Sequence, residues 1–114
     1  MILSEDHSNA TYQIQSILPG KIVINGDTYT NSLIISPERL ITDWNPDNLL
    51  LILELKPDII LLGTGEHSII YPTKKLACLL EKKFHAECMN TAAACRTYTI
   101  LIAEGRNVAA GLLL

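Results

Sequence analysis

The chain has 114 residues, 48% of them apolar and 5% aromatic, and a formal net charge of −3. That length suits one domain with an aliphatic core. The acidic balance, with no basic cluster beyond Lys82-Lys83, argues against a nucleic-acid binder, and no apolar run reaches the ~18 residues that span a bilayer, so no membrane insertion is expected.

Residues 1–9 read as a flexible polar tail, and 10–114 as a single α/β domain. The tail holds Glu5 and Asp6 and no early Lys or Arg, unlike a secretory signal or a mitochondrial presequence. The alternation from Tyr12 to Ile17 suits a strand. Pro19-Gly20 is a turn, Lys21–Ile24 a second strand, and Asn25-Gly26 a tight hairpin turn. A third strand through Thr28–Thr30 continues to Ile35 past a bend at Asn31-Ser32, completing a β-meander. Leu40–Trp44 reads as an extended or irregular connector.

Asn45 with Pro46 predicts the start of a helix that runs to about Leu55, where Pro57 disfavours helical geometry at Lys56. Asp58–Leu62 is a continuous apolar run after its first residue, as in a parallel strand buried on both faces. The loop Gly63–Ser68 follows, then a brief extended piece at Ile69–Tyr71. Thr73 is read as the cap of a helix to about Lys83, with Leu76, Ala77, Leu79 and Leu80 inward. Phe84–Met89 is another strand. Thr91 is read as the cap of the helix Ala92–Ala103, Gly105 as its left-handed stop, and Val108–Leu113 as a last strand. Alternation of helices and strands in the back half implies a sheet with helices on its faces and right-handed crossovers.

Candidate chemistry gathers at two loops that follow inner strands. Gly63-Thr64-Gly65 sits where an open α/β sheet places its ligand crevice; the same residues make an ordinary tight turn. Cys95 in the first turns of a helix, beside Arg96, has the setting of a thiolate nucleophile, with His67 as its base; it also suits a buried apolar position. Arg96 either pairs with Asp58, Glu104 or carbonyls, or faces Gly63–Gly65 as an anion site together with Thr91 and Thr97. Trp44 and Tyr71 are partner anchors or plain rim packing. No metal set, no cofactor motif and no Ser-His-Asp signature is present. Cys78, Cys88 and Cys95 form no even disulfide framework, which favours a reducing, cytoplasmic location.

Three segments together carry a resemblance. They are Pro57-Asp58-Ile59-Ile60-Leu61-Leu62-Gly63-Thr64-Gly65, then Met89 with Thr91 and Ala93-Ala94-Cys95-Arg96-Thr97-Tyr98, then Glu104-Gly105-Arg106 with Val108-Ala109-Ala110. From about Tyr12 onward the chain resembles a small family of bacterial and archaeal domains of unassigned function that also contains a mitochondrial complex I assembly factor. The resemblance implies a three-layer fold: a mixed central sheet, flanking helices, an extra β-layer from the meander, and a last strand antiparallel to the others. It implies no established enzymatic activity, and no cofactor is expected. The mitochondrial member acts through protein partners while the respiratory NADH dehydrogenase is assembled. Two positions depart from the family pattern, with Asn90 for its usual Asp and Thr99 for its usual Asn. The expected function is a non-enzymatic cytoplasmic protein that binds a protein partner, such as respiratory complex subunits or assembly factors. The alternatives are an anionic-ligand pocket at Gly63–Gly65 and Arg96, or a Cys95-dependent enzyme.

Overall fold

The computed structural model describes residues 10–66 and 73–114. The expectations for the tail, His67, Ser68 and the piece at Ile69–Tyr71 lie outside these residues.

The first three strands form an antiparallel sheet in the order β1-β2-β3, with β1 Ile14–Leu18, β2 Lys21–Ile24 and β3 Asp27–Tyr29. The β2–β3 turn uses Asn25 at φ 50° and Gly26 at φ 87°, the paired positive values of a two-residue hairpin. Asn25 then ties the sheet to the preceding chain. Its Nδ2 donates to the Thr11 carbonyl at 2.7 Å and its Oδ1 accepts from the Gln13 amide at 3.0 Å.

Past the bend at Asn31-Ser32 the chain leaves this sheet instead of extending it. β4 (Leu33–Ile35) and β5 (Leu40–Ile41) pair with each other and enter a second, five-stranded sheet with β6 (Ile59–Thr64), β7 (Ala86–Met89) and β8 (Val108–Leu113). Its order is β5-β4-β8-β6-β7. β8 runs parallel to β6, and β6 parallel to β7, while β4 lies antiparallel to β8. The expectation of an antiparallel last strand is therefore corrected. β8 sits at the centre, parallel to β6, and the strand that runs the other way is β4 beside it.

Side chains alternate across this sheet and build two cores. Leu33, Ile35, Leu61, Val108, Ala110 and Leu112 face the meander and helix α2 (Thr91–Ala103), joining Ile14, Ile22, Ile24, Tyr98 and Ile102. Ile34, Ile60, Leu62 and Ala109 face the other way, toward Trp44, a 3-10 helix (Leu49–Leu55) and helix α1 (Thr73–Glu81). A strand covered on both sides has no polar face to show, which accounts for the unbroken apolar runs in β6 and β8.

Three local expectations change. Asn45 closes a turn, its Oδ1 accepting from Asp47 N at 3.0 Å and its carbonyl from Asn48 N at 2.9 Å, so no helix starts there. The following helix is 3-10, whose three-residue turn stacks Leu49 over Ile52, and both are buried. It stops at Lys56, left-handed at φ 52° and ψ 52°. Leu80, expected inward, is 55% exposed, and Leu79 alone of the α1 leucines is fully buried. Trp44 packs inside at 4% exposure, its ring lying against Gly111, and its Nε1 donates to the Asn48 carbonyl at 3.0 Å.

Candidate functional site

The carboxyl ends of β6, β7 and β8 lie together because the three strands share one direction. The crevice expected at such an end is present. It is a cleft of about 210 Å³, bordered by Gly65 and Glu66 after β6, Asn90–Ala92 at the start of α2, and Leu113-Leu114 at the end of β8. The β1–β2 turn, Leu18-Pro19-Gly20, closes the remaining side. Most of its wall is apolar. Among the described residues Glu66 is the one charged side chain lining it.

Thr91 organises the floor. The sequence suggested it as the helix cap, but Asn90 takes that role, in extended geometry, with its Oδ1 accepting from Ala93 N at 2.8 Å. Thr91 is the first helical residue and is buried at 4% exposure. Its hydroxyl donates to the Leu113 carbonyl at 2.5 Å and accepts from the Gly65 amide at 2.8 Å. Its own amide donates to the Gly65 carbonyl at 2.8 Å. One threonine thus joins the ends of β6 and β8 to the start of α2. The close approach requires Gly63, where an added Cβ would lie 3.0 Å from both Cα and Oγ1 of Thr91. Thr64 completes the clasp through its hydroxyl, which donates to the Met89 carbonyl at 3.1 Å.

These contacts decide how the expected residues divide. Gly65 and Thr91 line the cleft; Gly63, Thr64, Cys95, Arg96 and Thr97 do not. The Gly65 amide expected to cradle an anion is taken by Thr91. Arg96 is exposed on the outer side of α2, away from the cleft lining, so the joint anion site of Gly63–Gly65 with Arg96 is not assembled. Thr97 turns back on its own helix and donates to the Ala93 carbonyl at 2.9 Å. Cys95 is fully buried, and burial pushes its thiol up to about 12 against the smaller, opposing pull of Arg96. Of the two readings of Cys95, this setting suits the buried apolar one, since desolvation outweighs the pull of the neighbouring cation. Among the described residues no group of three His, Cys, Asp or Glu could hold a metal ion.

Sequence reasoning missed Leu18, Glu66, Asn90, Ala92 and Leu113 as cleft residues. Asn90 carried a readable signal, a capping residue type just before a helix. The others are brought together only by the fold.

A family model described as a protein of unknown function (DUF498/DUF598) matches residues 14–113. A Francisella tularensis protein named "13 kDa major membrane protein" is 29% identical over 117 residues, covering 95% of each chain. A solution structure from Bordetella pertussis, described as a Mth938-like domain, shares 26% identity at a TM-score of 0.77, covering 99% of this chain and 92% of that one. An outer membrane protein from Bartonella henselae shares 29% identity at a TM-score of 0.75, covering 94% and 98%. These structural neighbours share the fold.

Proposed function

Since this chain belongs to the DUF498/DUF598 family of proteins of unknown function, we propose its role from the cleft: it is a non-enzymatic, cytoplasmic protein-binding domain that takes an apolar side chain of a partner. The observation that carries this reading is the cleft's lining, apolar over most of its wall and with Glu66 as the one charged side chain among the described residues. Such a wall gains from covering by an aliphatic or aromatic side chain and disfavours an anion. Leu18, on the cleft's edge, is 51% exposed and would lose that exposure under a bound partner.

The partner belongs to a membrane-bound respiratory complex or its assembly machinery. The family resemblance supports the respiratory part of the proposal, and the names of the Francisella and Bartonella relatives support only a membrane setting. No helix of the described residues is long and apolar enough to cross a membrane. Attachment through a partner would carry such a protein into a membrane fraction without a spanning helix.

The test places a photo-crosslinking amino acid at position 18 in the native host and compares it with the same protein carrying Ala92→Glu. Crosslinks to a respiratory-complex subunit or assembly factor that vanish with Ala92→Glu are the expected result. Crosslinks that persist unchanged, or their absence at position 18 and at a second probe replacing Glu66, would refute the cleft as the contact. A strain lacking the protein should also show less assembled NADH dehydrogenase; an unchanged level would remove the respiratory part of the proposal.

A further inference from the structure

The opposite end of the same strands holds a second cavity, of about 450 Å³. It lies among the loop that leaves β4, the residues just before β6, and the residues just before β8. Three of the chain's nine Lys and Arg residues, Arg39, Lys56 and Arg106, line it; Glu38 is the one acid lining it among the described residues. The described lining therefore has a formal charge of +2 in a chain whose total is −3. Arg39, Lys56 and Arg106 are exposed, and none of them makes an ion pair with a described residue.

The backbone that carries these cations is held in place. The Arg39 amide donates to Ser36 Oγ at 3.1 Å, and the Arg39 carbonyl accepts from the Ser36 amide at 2.9 Å, which pins the first loop. Lys56 occupies a left-handed position after the 3-10 helix, at φ 52°, where glycine is the usual choice. Its carbonyl accepts from Asn107 Nδ2 at 2.7 Å, so the loops bearing Lys56 and Arg106 are tied directly. The Arg106 amide in turn donates to the Leu101 carbonyl at 3.0 Å.

We propose that this cavity binds a phosphate monoester, on a small molecule or on a lipid headgroup, through Arg39, Lys56 and Arg106. A phosphate monoester carries a charge of roughly −1.5 to −2 near neutral pH, which matches the lining's formal charge. Two guanidinium forks and one ammonium suit its three terminal oxygens better than the two of a carboxylate. Convergence of like charges on one concavity also raises the local potential that attracts an anion.

The test follows backbone amide signals by NMR during titration with inorganic phosphate, at constant ionic strength. A parallel arm measures co-sedimentation with phosphatidylcholine vesicles, with and without phosphatidic acid. The expected result is saturable movement at residues 36–39, 55–56 and 105–107, or co-sedimentation that requires phosphatidic acid. Phosphate response alone assigns a soluble phosphate ester, and vesicle binding alone assigns a lipid headgroup. Arg106→Gln and Arg39→Gln should each weaken the response about tenfold or more. Arg96→Gln, which removes the same charge from the outer face of α2, should leave it unchanged. No response in either arm overturns the proposal. Equal movement with acetate, or equal weakening by Arg96→Gln, also overturns it, since either would mark general attraction to positive charge.

Discussion

Replacing Thr91 with valine tests the clasp beneath the cleft. Valine keeps the shape and the β-branch, so packing and helix propensity change little. It removes the hydroxyl that donates to Leu113 and accepts from Gly65. Both backbone groups then lie beside a buried methyl without that partner. A net hydrogen bond contributes about 1 kcal/mol, and a buried polar group left without a partner costs about 1–3 kcal/mol. The expected loss is therefore about 2–4 kcal/mol. The new methyl also sits where Gly63 already approaches Thr91 closely, a change of the same sign. The assay is urea unfolding followed by the fluorescence of Trp44, the chain's one tryptophan, which is buried when folded. With a urea slope of about 1.5 kcal/mol/M for a protein of this size, the midpoint should fall by about 1–3 M. Thr91→Ser retains the hydroxyl and should lose no more than about 1 kcal/mol. A valine variant within about 0.5 kcal/mol of wild type would refute the reasoning, as would serine and valine variants that lose equal amounts.

Gly111→Ala should cost about 1–3 kcal/mol by overpacking, because the added Cβ would lie 2.8 Å from Trp44 Cη2 and 2.9 Å from its Cζ3. Combining it with Trp44→Leu, with unfolding followed by circular dichroism, should cost less than the sum of the two changes; simple additivity would count against that contact. Stability should decline in alkali because of Cys95. Its thiol sits near 9.0 when unfolded and about 12 when folded, so its contribution is whole below pH about 9 and is lost as pH rises toward 12. The slope is at most about 1.4 kcal/mol per pH unit, and Cys95→Ala should flatten it; a urea midpoint unchanged between pH 8 and 11 in wild type would refute this. Burial also pushes the Tyr98 phenol upward, adding to the same trend. Tyr98→Phe should cost about 1–2 kcal/mol in the same urea assay, because the hydroxyl donates to the Tyr12 carbonyl at 2.9 Å and ties α2 to the chain leading into β1. A neutral result would show that this link does not hold the meander.

Much of the local structure was legible because it follows from neighbours in the chain. The unbroken apolar runs before Gly63 and at Val108–Leu113 required strands covered on both faces, and they are the inner strands β6 and β8. Asn25-Gly26 and Gly105 named their own left-handed geometry, since few residue types adopt positive φ without cost. Tertiary structure alone decided the rest. Nothing within Leu33–Ile35 distinguishes a fourth meander strand from a member of the other sheet; only the apolar surface of β8, far along the chain, makes the second choice favourable. Cys95 and Arg96 are adjacent in sequence, yet one lies in the core and the other faces solvent, and that rotation separated the expected site. Arg39, Lys56 and Arg106 are scattered along the sequence, so no basic cluster was visible there until the loops at one end of the sheet brought them to a common cavity. Periodicity reports which side chains share a face, but what covers that face depends on long-range contacts, and both cavities are made by such contacts.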